Sequence, residues 1–474
     1  MSTTDPSPYE PPADSGSTSA AAAKLDEISS NEPDNDTSGI GLTTLTCLVV
    51  ANMVGAGVFT SSGFSIGTLG NPGRVLFAWV VCGVWALCGA VAYGALIKRI
   101  PQSGGEYLFL SRLVHPSAGF LAGWISVIAG FTAPIAAAAL GAAIYLMPGR
   151  EQGSPTMTLV AIALIVIATA CHVARLSLGT RVQNLIVFAK LVLILVTIVW
   201  AFFFTSSDDW AGSALPDQDD SWIPGDMGAW IIFVGSMSWI ALSYTGFNAA
   251  VYVAGESKQA RRNVPLAMLL GTGIVTAIYL LLNFVYVFAP APDSIAFQAD
   301  VATIAAAAVG GDSLQWLVRV TVVLSMSSSV FAMLLAGPRV YQKMAQDGVL
   351  PQFLTGRAGA PTQAILVQAV LSIIALLSAD LLQLMKYLGL TLSACGALAV
   401  ISLWWIRARL PSAQPLRSWE NACLLIYVMI TTMILAASWN EHRVEFIAML
   451  TTFGIGLVVY FVWNQTKPSG QTIH

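Results

Sequence analysis

Two short stretches interrupt hydrophobic runs of the chain, and their residue types suit ligand binding. The first is Asn52–Phe59, where Gly55 and Gly57 flank Ala56 in the middle of a run. Three residues with almost no side-chain bulk permit non-helical dihedral angles. A half-helix that begins near Val58 would present free N–H groups and a positive dipole end, which suit a carboxylate. A close contact between two helices is the alternative interpretation of the same glycines.

The second stretch, Ser243–Asn248, is polar inside the sixth hydrophobic run. A hydroxyl-lined helix packed inside a bundle is its alternative interpretation. The two interruptions lie five runs apart, and an odd offset reverses direction across a membrane, as two inverted repeats require. Corresponding interruptions in two halves predict the substrate site of a transporter. Non-helical backbone at that depth is tolerated only where it lines a cavity or is buried.

Lys190 is a third candidate, because it lies deep in an apolar run, about eight residues from either end. A charged side chain at that depth costs about 2.5–3.5 kcal/mol on insertion scales and is usually functional. Since burial lowers the pKa of a lysine, a lysine here could gain and lose a proton during transport. Plain exchange, with the lysine as a fixed charge, is the alternative.

A sodium site is the competing interpretation of the ion chemistry. Its ligands would be hydroxyls of the eighth run, from Ser325, Ser327, Ser328 and Ser329. An ammonium group nearby would repel sodium, which favours protons. Arg319 and Lys386 also fall within runs, five or six residues from one end, where they can extend to the interface; no role is predicted for them.

The elements that position these residues are membrane helices. Only 10% of the 474 residues are charged and 56% are hydrophobic, whereas soluble domains carry about 25% charged residues. Apolar runs long enough to cross about 30 Å of hydrocarbon recur. They predict twelve spans, with eleven as the alternative, near 41–68, 74–97, 117–147, 157–173, 182–204, 228–254, 265–289, 313–336, 361–379, 381–406, 418–437 and 445–463.

The distribution of charge predicts the orientation. With both termini cytoplasmic, the inner connections and C-terminal tail hold 15 Lys and Arg residues against three outside, as the positive-inside rule requires. The aspartate-rich loop 205–227 suits the outer face. Residues 1–38 carry eight acids and one base, Lys24, and predict a disordered cytoplasmic tail. The predicted organisation is this tail, a permease domain over 39–465, and a short cytoplasmic tail over 466–474.

Four motifs, in order along most of residues 40–465, resemble the amino acid–polyamine–organocation superfamily, nearest to bacterial amino acid permeases and L-type amino acid transporters. The motifs are Asn52–Phe59, Pro101–Tyr107, Tyr244–Pro265 and Gly337–Gly348. The resemblance implies an all-α, LeuT-type fold of two inverted five-span repeats, about 41–204 and 228–406, with two extra spans over 418–463. It implies alternating access around an amino acid site in a cell membrane.

The resemblance also implies which groups bind. The substrate carboxylate would meet N–H groups at Ala56 and Gly57. The substrate ammonium would meet the carbonyl of Val54 and those of Leu242, Ser243 and Thr245. Lys190 would stand where other members of the fold hold sodium. Leu242 departs from an aromatic gate, and Ala56 lacks the hydroxyl of the family's serine.

Three further residues are possible gates on the predicted cytoplasmic side: Glu106, Glu256 and Arg339. Glu106 or Asp347 could contact Arg339. Glu256 could either pair with Arg262 or close the inner gate.

No metal, cofactor or nucleic acid is expected, and no cluster of catalytic side chains or filter-like loop suggests an enzyme or a channel. The predicted function is transport of a neutral amino acid, coupled to protons or by exchange; a sodium symporter and a non-transporting sensor are the alternatives. All six cysteines lie inside apolar runs, so no disulfide-linked partner subunit is expected. The expected partners are the substrate and the lipid bilayer.

Overall fold

The computed structural model describes residues 39–151, 153–174, 180–203, 221–346, 348–355, 362–409 and 414–465. The predicted tails at 1–38 and 466–474, most of the loop 205–227, and Asp347 lie outside the described residues. Within the described ranges, regular structure is helical, and the one extended pairing is an isolated bridge between Ile40 and Ser257. The all-α prediction is therefore confirmed.

The first half of the chain forms eight α-helices. They are α1 Leu42–Met53, α2 Ala56–Leu69, α3 Pro72–Arg99, α4 Gly105–Leu113, α5 Pro116–Ile125, α6 Ala133–Leu146, α7 Pro155–Val173 and α8 Thr180–Phe203. A π-helical turn over Ser126–Thr132 joins α5 to α6 without a break.

The second half forms nine α-helices. They are α9 Met227–Tyr244, α10 Ala260–Phe288, α11 Pro292–Ile295, α12 Val301–Gln346, α13 Thr362–Ser378, α14 Leu381–Ile401, α15 Ile406–Arg409, α16 Ser418–Glu441 and α17 Arg443–Gln465. Short 3₁₀ segments follow α9 at Ala249–Glu256, α12 at Gln352–Thr355 and α14 at Ser402–Trp405.

Helices occur in order at all twelve predicted span positions. By length and composition, nine of the described helical spans can cross a membrane, and α1 with α2 makes a tenth. At the predicted fifth and ninth positions, the apolar helical segments are shorter than these spans. They are Phe188–Phe203 and Thr362–Ser378. The expected eighth span, 313–336, is shorter than the observed helix. The helix runs over Val301–Gln346 and is kinked at Gly310 and Gly311. Gly311 has a positive φ of 63°, which glycine adopts readily.

Local sequence explains where the helices begin. The Asn71 side chain accepts a hydrogen bond from the N–H of Arg74 at the start of α3, and Asp226 does the same for Ala229 at the start of α9. Asp380 and Gln383 form a reciprocal capping box at α14. These side chains satisfy N–H groups that a helix start leaves without a helical acceptor.

The core that positions the site is built around α10. This helix packs along α3 and α1, while α9 packs against α2, α3 and α14. Large buried aromatic side chains fill these contacts, among them Trp79, Trp239, Tyr244 and Tyr279. The two interrupted helices are therefore held from several sides, so that their breaks have fixed neighbours.

Candidate substrate site at two broken helices

The first break is short. Helix α1 ends at Met53, Val54 and Gly55 are non-helical, and α2 begins at Ala56 with its axis bent by 42° from that of α1. Gly55 has φ −125° and ψ −156°, an extended conformation open to any residue. The N–H groups of Ala56 and Gly57 lie in the first turn of α2, where a helix offers no acceptor, and no side chain caps this end. This end of α2 can receive an anion.

Lys190 lies at the other side of the same break. Its side chain is buried, and its Nζ donates to the carbonyl of Val54 at 2.7 Å and to that of Ala51 at 3.4 Å. These carbonyls belong to the C-terminal end of α1, which carries the negative end of the helix dipole. The ammonium group thus occupies the kind of position where unwound carbonyls coordinate a cation in transporters with broken helices.

The second break is longer. Helix α9 ends at Tyr244, Thr245 is extended, and Gly246 has a positive φ of 96°. The chain then runs as a 3₁₀ segment over Ala249–Glu256, with non-helical angles at Val253. A Cβ atom at Gly246 would lie 2.9 Å from the carbonyl oxygen of Asn52. Both the positive φ and this close approach require glycine.

The two breaks meet at Gly57 and Ser243. A Cβ atom at Gly57 would lie 2.9 Å from the Cα of Ser243 and would overlap its hydroxyl. The Ser243 hydroxyl is also 3.1 Å from the hydroxyl of Ser61 in α2. The structure therefore brings together the predicted residues Val54, Gly55, Ala56, Gly57, Leu242, Ser243 and Thr245, with Lys190 beside them. Of these, Gly55, Ala56, Leu242 and Thr245 keep partial exposure.

Tyr279 of α10 joins the two breaks and was missed from the sequence. Its hydroxyl is 2.6 Å from the carbonyl of Met53 and 3.0 Å from that of Ser243. One turn further, the Asn283 side chain contacts the hydroxyl of Ser62 in α2 and donates to the carbonyl of Tyr279. The available signal was a tyrosine followed four residues later by an asparagine within an apolar run.

Most carbonyls expected to bind a substrate ammonium already have a donor. Val54 accepts from Lys190, Ser243 accepts from Tyr279, and Leu242 accepts from the N–H and hydroxyl of Thr245. A carbonyl oxygen has two lone pairs, so those of Val54 and Ser243 can each take a second donor, whereas that of Leu242 already has two. A bound ammonium would therefore share the oxygens of Val54 and Ser243 with Lys190 and Tyr279 rather than find them free.

The Glu106 carboxylate ties the inner half of the sixth span to its neighbours. It accepts hydrogen bonds from the Tyr93 hydroxyl at 2.7 Å, the Asn248 amide at 2.6 Å and the Tyr252 hydroxyl at 2.7 Å. Burial of a carboxylate is costly unless its oxygens are hydrogen-bonded, and here both are. Asn248 lies in the second break and Tyr252 in the 3₁₀ segment that follows.

The suggested contact between Glu106 and Arg339 is not formed, because Glu106 is buried among these three donors and Arg339 is exposed. Glu256 is exposed as well, and within residues 221–346 it forms no ion pair with Arg262. Its backbone carbonyl instead accepts from the N–H of Ile40 at 2.8 Å. The three gate candidates are thus separated, and only Glu106 contacts the second break.

Two of the four hydroxyls considered for sodium are engaged within their own helix. Ser328 and Ser329 donate to the carbonyl of Ser325, while the buried Ser325 hydroxyl has no partner among the described residues. No group of three or more His, Cys, Asp or Glu side chains in the described ranges could hold a metal ion.

This geometry defines a class of protein. Two membrane helices five positions apart are broken where they meet, a helix N-terminus is open beside the breaks, and a buried cation holds the adjacent carbonyls. Such interrupted helices at the meeting point of two repeats are the substrate sites of secondary transporters.

The chain belongs to the amino acid permease family, whose sequence model matches residues 40–466. It is 26% identical to the human large neutral amino acids transporter small subunit 2 over 448 residues, which cover 90% of this chain and 81% of that protein. It is 23% identical to the mouse b(0,+)-type amino acid transporter 1 over 467 residues, 95% of this chain and 93% of that protein. It is also 23% identical to the mouse Asc-type amino acid transporter 1 over 433 residues, 89% of this chain and 78% of that protein.

The comparisons confirm the superfamily and the all-α membrane fold expected from the sequence. They also establish the activity as amino acid transport rather than an enzymatic reaction.

Proposed function

We propose that this transporter carries a neutral amino acid by alternating access, with proton-coupled symport or exchange as its mode. The observation that supports coupling is the contact of the Lys190 ammonium with the carbonyl of Val54, at 2.7 Å. That carbonyl belongs to the break that also offers the N–H groups of Ala56 and Gly57. A substrate at this break and the charge on Lys190 therefore affect each other directly.

The bound substrate would bridge the two breaks. Its carboxylate would accept from the N–H groups of Ala56 and Gly57 at the positive end of α2. Its ammonium would meet the carbonyls of Val54, Leu242, Ser243 and Thr245. It would share the oxygens of Val54 and Ser243 with Lys190 and Tyr279. Gly55 would leave room for the carboxylate, because a Cβ atom there meets nothing within 4 Å.

Coupling would follow from repulsion between two cations. When a substrate ammonium shares the carbonyl of Val54 with Lys190, the two positive charges oppose each other in a medium of low dielectric constant. In the symport mode, Lys190 takes up its proton from the outer side and keeps it while the substrate binds. The repulsion would favour release of that proton once the site opens inward, so that proton and substrate cross in the same direction. In the exchange mode, Lys190 keeps its proton and acts as a fixed cation. A sodium ion at the same carbonyls would meet the same repulsion.

The absence of a carboxylate at the breaks favours neutral substrates. Among the described residues 51–60 and 241–248 there is no Asp or Glu. Glu106, which contacts the second break, already accepts three hydrogen bonds. A cationic substrate side chain would therefore have no free partner of opposite charge at the breaks.

Purified protein in liposomes tests the proposal. Counterflow of labelled amino acids identifies the substrate, after which uptake is measured with an imposed pH gradient, a sodium gradient, or an excess of internal amino acid. We expect uptake driven by the pH gradient or by internal amino acid, and no stimulation by sodium. Stimulation by sodium alone would support sodium symport, and no transport of any of the twenty amino acids would support a non-transporting sensor.

The variant Lys190→Met tests the coupling residue. It should abolish uptake driven by a pH gradient while leaving measurable substrate binding, because the backbone groups of both breaks remain. Val192→Ala is a matched control, since Val192 lies two residues away on α8 and is 39% exposed. Unchanged gradient-driven uptake in Lys190→Met would remove Lys190 from the mechanism.

We further propose that the chain acts in a cell membrane with both termini cytoplasmic and without a disulfide-linked partner. The relative from human is named as a small subunit. In this chain, however, all six cysteines lie within helices α1, α3, α7, α14 and α16. A mass that is the same on reducing and non-reducing gels, from native membranes, is the expected result.

A further inference from the structure

A pair of opposite charges lies inside the bundle on the side where α2 ends and α9 begins, predicted to face outward. Lys386 is in the second turn of α14, and Glu445 is in the first turn of α17. The Lys386 Nζ is 4.0 Å from Glu445 Oε1, and the two side chains are only 17% and 11% exposed. Both side chains lie near a helix end and are covered by protein. Ionic groups buried at this depth are expensive and usually functional.

The Lys386 side chain contacts the helix that leads to the second break. Its Nζ lies 5.6 Å from the centre of the Trp239 ring, within the range of a cation–π interaction. Trp239 is one turn before Ser243 on α9, and its carbonyl accepts from Ser61 of α2. The neighbouring residue Met385 contacts the hydroxyl of Thr60, one turn after Ala56.

The two charges therefore differ in their position relative to the breaks. Lys386 contacts Trp239 of α9, and its neighbour Met385 contacts Thr60 of α2. Glu445 lies on α17, which packs against α14. If the site opens between α2 and α9 on this side, an entering substrate would meet the positive member of the pair.

We propose that Lys386, held in place by Glu445, is a charge filter at the outer mouth that excludes amino acids with cationic side chains. The effect arises because a charge in contact with α9, the helix that ends at the second break, acts through protein rather than water. The carboxylate of Glu445, 4.0 Å from the Lys386 Nζ, holds the ammonium group in place. The filter rests on the proposed function, since it needs a transporter of neutral amino acids to act upon.

Competition in proteoliposomes tests the filter. Counterflow of a labelled neutral substrate is inhibited with unlabelled lysine and with norleucine, which has a similar length and no side-chain charge. The ratio of the two inhibition constants measures the discrimination. In the unchanged protein, lysine should inhibit at least about tenfold more weakly than norleucine.

Two variants separate a filter from a merely structural ion pair. Lys386→Met leaves Glu445 unpaired and should strengthen inhibition by lysine about tenfold, with norleucine changed less than about twofold. The double variant Lys386→Glu with Glu445→Lys preserves the pair but turns the negative charge toward the site. A filter predicts that lysine inhibits this double variant more strongly than it inhibits the unchanged protein. A structural pair predicts the same ratio of inhibition constants in both. Glu441→Gln, an exposed carboxylate at the end of α16, is the control.

The outcomes distinguish this proposal from the proposed function. If the unchanged protein transports no amino acid, the proposed function fails. If it transports neutral amino acids but lysine competes as well as norleucine, or if both variants keep the original ratio, the filter is overturned. For a variant without counterflow, thermal stabilisation of the detergent-purified protein by each amino acid gives the ratio. Equal stabilisation ratios in variant and unchanged protein would also overturn the filter.

Discussion

Both breaks expose backbone groups by departing from α-helical geometry, but they do so over different lengths of chain. The first removes only Val54 and Gly55 from helical geometry, and regular α-helix resumes at Ala56. The second covers Thr245–Asn248 and is followed by a 3₁₀ segment as far as Glu256 instead of an α-helix. Because 3₁₀ segments have poorer hydrogen-bond geometry than α-helices, the inner half of the sixth span is the more easily rearranged of the two.

Their polar partners differ in the same way. The first break is held on its carbonyl side by the cation Lys190 and the Tyr279 hydroxyl, and its N–H side is left open. The second is held by neutral hydroxyls and by the buried Glu106 carboxylate. We infer that the first break mainly binds and couples, whereas the second mainly transmits motion to the inner side. The predictions below compare the two, from the largest expected effect to the smallest.

The largest effect is expected for Gly57→Ala, which should lower transport at least about 100-fold by forcing the two breaks apart, since small misplacements in a site are costly. A Cβ atom there would lie 2.9 Å from the Cα of Ser243. Gly273→Ala is the matched control, because Gly273 lies outside both breaks on α10 and a Cβ atom there meets nothing within 4 Å. Initial rates of counterflow measure both. Equal losses in the two variants would contradict the contact between the breaks.

Tyr279→Phe should reduce transport about tenfold, the equivalent of one hydrogen bond of about 1.4 kcal/mol. The change removes the hydroxyl shared by Met53 of the first break and Ser243 of the second. Apparent affinity should fall together with the maximal rate, since both breaks lose a common partner. Tyr286→Phe, on the same helix and also buried, is the control. A loss confined to the rate would assign Tyr279 to the second break alone.

Glu106→Gln should slow transport about threefold to tenfold while leaving substrate affinity nearly unchanged, if the second break mainly transmits motion. A glutamine side chain offers one acceptor oxygen in place of two, so at least one of its three hydrogen bonds is lost. Glu256→Gln, which changes an exposed carboxylate, is the control and should behave like the unchanged protein. A large fall in affinity with an unchanged rate would place Glu106 in binding rather than gating.

A smaller, pH-dependent effect is expected at the outer end of the second broken span. His442, in the turn between α16 and α17, lies 5.4 Å from the Trp239 ring. Burial, together with the charge of Lys386, lowers the pKa of His442 from 6.5 to about 4. The unfolded chain therefore takes up a proton below pH 6.5 while the folded protein does not, so folded-state stability falls as the pH decreases from 6.5 toward 4.

Thermal unfolding in detergent between pH 7 and pH 4 measures this effect. In His442→Gln, the melting temperature should depend less on pH than in the unchanged protein. The nearby charges of Lys386, Glu441, Arg443 and Glu445 remain in both proteins, so their contributions cancel. The same pH dependence in both proteins would contradict a buried neutral His442.

The sequence alone determined the class of the molecule and the location of its breaks. Long apolar runs leave few alternatives to membrane helices, since every backbone polar group must be satisfied inside the bilayer. Glycine and polar residues in the middle of such runs, at an odd offset, identified Gly55–Gly57 and Ser243–Asn248. Lys190 was identified as a lone lysine among apolar residues, because a charged side chain inside the bilayer is costly.

The tertiary structure decided which partners these residues have. Tyr279 bridges the breaks from a helix whose sequence carries no interruption, and Glu106 faces Tyr93 and Asn248 rather than the expected Arg339. Lys386, expected to extend toward the interface, turns inward to Glu445 and Trp239. Sequence patterns give the depth of a residue along its own helix. They do not give the rotation and neighbours of that helix in the bundle, which packing alone fixes.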